Sequence, residues 1–480
     1  MLFRSSERLI QQEADVQGLS TAILLPSTGV FGDPIGRAIG EAGPLTGVVG
    51  IGLFPRAVLT LQRAGIRQLI VLAGAEEDQL KQALSKGPRV TIPVRWMPIR
   101  EFPLDDPCTW DSLAAESRGF TLVASVSGVF SRALIEQLRR EVQDGQAMVV
   151  THNSSDREQP PSVHGVRVKV QADRLTALVP GRYDDGAPRA AELVVLPASF
   201  MNVAGQVPLE AGRLPIRRWL ERAAVDGHVR VVPSEPAGAC WYQEVRTPAD
   251  VRAAEKKLFN SLKSDLEGFV DRYFNRRLSR WFTRLFLAVG LTPNAVTLLA
   301  TLIGLASAVG FSGGTYEASV VAALLFQLAA VIDCCDGEVA RLTFTESPFG
   351  AWLDIAMDNV VHMAIFAGIA VGLYTTRVGQ EQAWVPLALG AAAVLGNALS
   401  FALVERAQKV KTAGGWATPV HAAWSDFMLK NVASRDFSVV VLVFALLGML
   451  DWFLWMAAVG SLVFAGIMLW VVRPTATIRA

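Results

Sequence analysis

Cysteine is scarce. The 480 residues hold four, Cys108, Cys240, Cys334 and Cys335, at spacings that match neither a zinc site nor a disulfide framework. Adjacent Cys334 and Cys335 would point in different directions on a helix, and they read as small, polarisable packing residues. Histidine is almost as sparse, with five, and His362 and His421 read as packing or surface side chains rather than ligands. An excess of one charge is also missing: 45 Lys and Arg against 44 Asp and Glu leave +1, which gives no argument for a nucleic-acid partner. The opening stretch MLFRSSERLIQQEADVQ lacks an apolar core of about 7–15 residues, so no secretory signal is read there.

What the chain does have is divided unevenly. A hydrophobic share of 51% and a mean hydropathy of +0.34 are high for a wholly soluble protein, and 19% charged residues is high for a wholly embedded one. Residues 1–290 mix short apolar runs with Arg, Glu and Asp, whereas 291–480 are mostly long apolar runs. The spacing predicts a cytoplasmic domain over 1–262, an interfacial amphipathic helix over 263–290 and a membrane domain over 291–480.

The first part reads as α/β. Strand-like runs TAILL (21–25), QLIVLAG (68–74), FTLVASV (120–126), AMVVTH (147–152) and ELVVLP (192–197) alternate with helical runs at 56–65, 76–87 and 132–145. That alternation predicts a mostly parallel, doubly wound sheet. TPADVRAAEKKLFNSLK then opens a helix, with Thr247 as cap and Pro248 in the first helical position.

Residues 264–290 place Leu266, Val270, Phe274, Leu278, Phe282 and Leu285 three or four apart, with Arg276, Arg280 and Arg284 in a separate row. An apolar face with aromatics beside a basic row describes a helix lying among lipid headgroups. Six all-helical spans follow, near 293–311, 317–341, 350–375, 383–405, 435–451 and 453–472, the last two shorter and with an uncertain break near Asp451. One side of these spans carries the arginines of 272–284, Arg341, Arg406, Lys409, Lys411, Lys430, Arg435, Arg473 and Arg479, while the other has only Arg377. The positive-inside rule then predicts a multi-pass protein of the cytoplasmic membrane with both termini, and the acidic cluster below, on the cytoplasmic side.

Between the second and third spans runs DCCDGEVARLTFTESPFGAWLDIAMD (333–358). Each acid at a helix centre costs roughly 2.5–3.5 kcal/mol on insertion scales, so four demand compensation. Asp333 and Asp336 share a helix face, as do Asp354 and Asp358, and a short turn makes the two helices antiparallel neighbours. Oxygen-only ligands suit two Mg²⁺ or Mn²⁺ ions, and Gly337, Ala340 and Gly350 leave room for a phosphate-bearing substrate. From these residues alone, metal-dependent phosphoryl chemistry, a metal-coupled transporter and structural pairing of acids with arginines all remain open.

The pattern Asp333-x2-Asp336-Gly337-x2-Ala340-Arg341-x8-Gly350-x3-Asp354-x3-Asp358 resembles the complete signature of the CDP-alcohol phosphotransferase family. The resemblance implies that the four aspartates hold two metals across a CDP-linked alcohol donor, and that Asp358 also acts as general base on an acceptor hydroxyl. It implies that Gly337, Ala340 and Gly350 let the cytidine approach, with Arg341 near the nucleotide, and that Asn294, Thr297 and Ser347 are further donor contacts. The acceptor would be a lipid or a polyol phosphate, whose phosphate Arg406, Lys409, Lys411 and Arg435 could clamp. Membrane lipid is an implied partner, and a homodimer is compatible with the resemblance.

The layout also resembles the branch with a fused nucleotidyltransferase-like domain, that of the inositol-1-phosphate cytidylyltransferase/di-myo-inositol-phosphate-phosphate synthases. Here the sequence departs from the pattern. LLPSTGVFGDPIGRAIG (24–40) replaces the phosphate loop, GPLTGVVGIGLFPRAV has no lysine, TLVASVSGVF lacks the metal-binding aspartate and QEVRTPADV lacks the acid pair. The expectation is a degenerate domain that no longer transfers cytidylyl groups, the alternative being a bifunctional enzyme that also makes its CDP-alcohol.

Overall fold

Strands that are apolar along their whole length need cover on both faces, and the first half builds its core from them. In chain order the elements are β1 (Leu19–Leu25), the short ribbon β2 (Gly47–Val48) and β3 (Ile51–Gly52), α1 (Leu53–Arg63), β4 (Gln68–Ala73), α2 (Glu77–Lys86) and β5 (Val94–Pro98). Next come α3 (Pro107–Glu116), β6 (Phe120–Ser125), β7 (Gly128–Phe130), α4 (Arg132–Glu141), β8 (Ala147–His152), β9 (Val166–Gln171) and β10 (Arg174–Pro180). Then follow β11 (Arg189–Pro197), α5 (Pro215–Val225), β12 (Val229–Pro233), β13 (Tyr242–Glu244) and α6 (Pro248–Ser261). The computed structural model describes residues 18–32, 41–87, 90–117, 119–142, 145–152, 165–180, 187–199, 214–235, 238–262, 276–412 and 437–471. The chain divides into two compact units, Met1–Ser261 and Leu262–Ala480.

Nine strands form one sheet in the order β5-β4-β1-β6-β11-β8-β12-β10-β9. Its first four members are parallel, as the alternation predicted. The rest differs: β11 runs antiparallel to both β6 and β8, so the α/β sheet is mixed. All the expected strand runs lie in it, but β5, β9, β10 and β12 were not read from the sequence. The β9–β10 turn shows why, because its two residues, Ala172 and Asp173, take positive φ without the Asn-Gly or Asp-Gly that marks such turns. At the start of α6 the expected cap is present, with the Asp250 amide donating to Thr247 Oγ1 at 3.3 Å and the Thr247 amide to Asp250 Oδ2 at 2.9 Å.

The second unit is helical: α7 (Arg276–Val289), α8 (Pro293–Ser312), α9 (Tyr316–Thr343), α10 (Pro348–Thr375), α11 (Val385–Thr412), α12 (Phe437–Leu446) and α13 (Leu450–Val471). Among the described residues, five helices are long and apolar enough to cross a membrane. The fifth expected span appears as the 10-residue α12. At about 1.5 Å per residue this falls short of a hydrocarbon core of about 30 Å, and the residues before it lie outside the described set. The break before the last helix falls at Gly448, with φ +68°, and Asp451 belongs to the first turn of α13, where Arg377 donates to it. Of the expected interfacial helix, 276–289 is helical and 263–275 lies outside the described residues.

Helix α8 packs against α9 and α10, α9 also meets α7 and α12, and α11 lies between α10 and α13. The α8–α10 approach depends on small residues. A Cβ on Gly368 would lie 2.2 Å from the Ala308 carbonyl oxygen, and one on Gly372 2.2 Å from that of Phe311.

Candidate active site

Three helix starts or ends converge on the acidic motif. Thr292 caps α8, its Oγ1 accepting from the Ala295 amide at 3.3 Å, with Pro293 in the first turn. Ser347 caps α10 in the same way, accepting from the Gly350 amide at 2.9 Å, with Pro348 next. Helix α9 ends at Phe344, in the left-handed region at φ +60°, which turns the chain back towards α10. These caps fix the starts of α8 and α10 beside the last turns of α9.

The result brings one carboxylate oxygen each from Asp333, Asp336 and Asp354 within 4.8 Å of one another. Asp336 is buried and accepts a hydrogen bond from the equally buried Thr297 hydroxyl of α8. Thr297 therefore reaches the site as a partner of an acid. A Cβ on Gly350 would lie 3.3 Å from Asn294 Oδ1, which puts the starts of α8 and α10 side by side. The Arg341 guanidinium lies over Gly337, with Nη1 3.6 Å from where a Cβ would stand. Ala340 is half-buried one helix position before Arg341.

Asp358 stands apart from this group. It lies one turn further along α10, its carboxylate about half exposed, with His362 Nε2 3.9 Å from Oδ1. His362 does pack, as expected, with its ring 4.7 Å from that of Phe437 and 6.0 Å from that of Phe326. Beside Asp358, Asn397 Nδ2 of α11 donates to Asn359 Oδ1 at 3.2 Å. Of the acceptor-phosphate candidates, Arg406 is exposed on α11, while the side chains of Lys409 and Lys411, and Arg435 entirely, lie outside the described residues.

Sequence reasoning missed Glu338. It is buried and accepts from Thr283 Oγ1 at 2.7 Å and Ser279 Oγ at 3.2 Å, both buried on α7. Two positions after Asp336, a helical residue points roughly to the opposite side, so this acid faces α7 rather than the cluster. The signal was there: Ser279 and Thr283, four apart, are the polar pair on an otherwise apolar and basic helix.

In the first unit, the carboxyl ends of the parallel strands are closed by the chain's own acids. Glu192, buried on β11, accepts from the Val30 amide just after β1, and a Cβ on Gly29 would lie 2.8 Å from its Oε2. Glu76 accepts from the Ser27 hydroxyl and, at 3.3 Å, from the Gly74 amide. After β6, Ser125 Oγ and Ser127 Oγ lie 3.0 Å apart where the metal-binding aspartate was sought. Nearby, burial pushes the Tyr242 hydroxyl up and the His152 imidazole down to about 4.

Comparison with known proteins adds three findings. Residues 290–477 match the family described as CDP-alcohol phosphatidyltransferase. A protein of Aquifex aeolicus (strain VF5) called bifunctional IPC transferase and DIPP synthase is 32% identical over 182 residues, 37% of this chain and 39% of that protein. One of the same name from Rubrobacter xylanophilus is 28% identical over 368 residues, 75% of this chain and 78% of that one. The match thus spans under half of the Aquifex relative's length but most of the Rubrobacter one's. Among solved structures, the inositol-1-phosphate CTP transferase from T. maritima is similar with a TM-score of 0.38 at 14% identity, over 50% of this chain and 96% of that one.

Proposed function

We propose, from the match of residues 290–477 to the family described as CDP-alcohol phosphatidyltransferase, that the chain transfers a substituted phosphate from a CDP-linked alcohol to an acceptor hydroxyl, releasing CMP. The observation that carries the reading is the convergence of Asp333, Asp336 and Asp354 from two helices, their oxygens within 4.8 Å. An all-oxygen donor set fits Mg²⁺ or Mn²⁺, and these three with Asp358 would hold two such ions. The ions would neutralise the donor's diphosphate and the charge developing on departing CMP.

The chain's own residues do the rest. Gly337, Ala340 and Gly350 leave the helix surfaces open to the donor, while Arg341, Asn294 and Ser347 line its approach. Thr297 holds the Asp336 carboxylate in place. Asp358 takes the acceptor hydroxyl's proton as that oxygen attacks the phosphorus bearing the alcohol, and the P–O bond to CMP breaks with its electron pair leaving on CMP. Positive charge counted over the loops supports a site on the cytoplasmic side with both termini there. The acceptor is a lipid or a polyol phosphate, and Arg406, Lys409, Lys411 and Arg435 are the cations available for an acceptor phosphate.

The test is CMP release from a CDP-alcohol in the presence of each acceptor, with the product identified by mass spectrometry. Release should require an acceptor, stop with EDTA and return with Mg²⁺ or Mn²⁺, and vanish in a folded Asp358→Asn variant. EDTA-resistant turnover would sink the metal reading, and a transporter would release no CMP at all.

The first unit we read as no longer transferring cytidylyl groups. In open α/β sheets ligands bind beyond the carboxyl ends of the strands, where the strand order reverses. In this sheet β1 lies between β4 and β6 at such a point, and the loop there is bonded to Glu192 and Glu76. Two acids in that position oppose a triphosphate.

A further inference from the structure

Asp358 poses a problem of aim. A general base must lie within hydrogen-bond reach of the proton it removes, and a misplacement of about 1 Å can cost roughly 100-fold in rate. Asp336 is held by Thr297, but Asp358 lies outside the cluster with about half its carboxylate exposed. His362, four residues on, brings Nε2 to 3.9 Å from its Oδ1.

The imidazole is itself held. Phe437, the first residue of α12, meets it edge-on at 4.7 Å and 68°, and Phe326 of α9 does so at 6.0 Å and 85°. The two phenylalanines lie 5.9 Å from each other, and Phe366, one turn beyond His362, is 5.8 Å from Phe437. Phenylalanines of two neighbouring helices, α9 and α12, thus pack against the ring, whose Nε2 lies 3.9 Å from the acid. A gap of 3.9 Å is about 1 Å beyond a hydrogen bond, a difference that a small turn of the aspartate side chain removes.

We propose that His362 is a positioning residue for Asp358: the aromatic side chains fix the imidazole, and its Nε2–H fixes the carboxylate in the orientation that accepts the acceptor's proton. The proposal rests on the reading of Asp358 as base. It requires only that the ring donate from Nε2. Positioning acts on the transition state, so its loss lowers kcat and leaves substrate binding alone.

Three variants of the full-length protein, assayed by acceptor-dependent CMP release, test it. His362→Phe keeps an aromatic ring in the cage but has no N–H, and kcat should fall roughly 10- to 100-fold with both KM values within about twofold. His362→Gln, which returns a donor at similar reach, should recover most of the loss. His362→Ala should be at least as slow as His362→Phe. A His362→Phe variant at the wild-type kcat would overturn the proposal, since packing alone would then explain the residue. So would a slow His362→Gln variant whose thermal unfolding matches that of the wild type. Failure of the underlying reading looks different: a folded Asp358→Asn variant with full activity removes the base and the role of His362 together.

Discussion

Replacing Thr297 with valine isolates one hydrogen bond at the heart of the cluster. The side chain keeps its shape and loses its hydroxyl, the only side-chain donor that α8 gives to the buried Asp336 carboxylate among the described contacts. Thr297 and Asp336 are 3% and 5% exposed, so water cannot readily replace the lost donor. A hydrogen bond to a charged group contributes about 1.5–3 kcal/mol, and every 1.4 kcal/mol is about tenfold in an equilibrium constant. If the loss falls on the hold of Asp336 for a divalent ion, affinity should drop about 10- to 100-fold, the range usual for an outer-shell partner. The assay is CMP release at saturating donor and acceptor across a series of free Mg²⁺ concentrations. Thr297→Val should shift half-saturation upwards by that factor, and Thr297→Ser, which keeps the hydroxyl, should not. The reasoning fails if the valine variant folds and titrates with Mg²⁺ like the wild type.

Replacing Arg406, Lys409, Lys411 or Arg435 with alanine should raise the acceptor KM about tenfold at whichever residues bind its phosphate, leaving the donor KM unchanged, because a charge-assisted bond is lost on one substrate only. Equal effects on both substrates, or none at any position, would leave these cations to membrane topology alone. His152 gives a pH dependence: burial lowers its pKa from 6.5 to about 4, so the folded chain keeps it neutral while the unfolded chain takes up a proton below about 6.5. Stability of the first unit should therefore be full above about pH 6.5 and fall by up to about 1.4 kcal/mol per unit as pH drops towards 4. Thermal unfolding at pH 7 and 4.5 should show that loss in the wild type and a smaller one in His152→Phe. Finally, the full-length protein given CTP and a polyol phosphate should release no pyrophosphate, and release dependent on the phosphate ester would show that the first unit is active.

The acidic motif was legible because helix geometry is local. Spacings of three and four fix which acids share a face, so the pairing of Asp333 with Asp336 on one helix face needed no tertiary information. Partners from other helices were not legible in that way. Thr297 on Asp336, and Ser279 and Thr283 on Glu338, depend on how α7 and α8 rotate against α9. In the sheet, the direction of β11 was hidden because ELVVLP is as uniformly apolar as a parallel strand, being buried on both faces at the centre. β10 and β9 were hidden by a turn whose residues are poor at positive φ. Pattern revealed what one element decides, and lost what two elements decide together.

The distribution of partners also answers why a membrane unit carries these acids. Outside the cluster several acids have a neighbour of their own: Glu338 the two hydroxyls of α7, Asp451 the guanidinium of Arg377, and Asp358 the imidazole of His362 at 3.9 Å. Three carboxylate oxygens within 4.8 Å repel by about 3–4 kcal/mol per pair at an effective dielectric of about 20, a cost on the order of 10 kcal/mol if all are ionised. The Thr297 hydroxyl orients Asp336 within this group. Caps at Thr292 and Ser347 and the turn at Phe344 hold the helices in this arrangement. Such a concentration of carboxylate oxygens supports the proposal that cations are received there. In that proposal the glycines beside the acids would leave room for a substrate that carries phosphate.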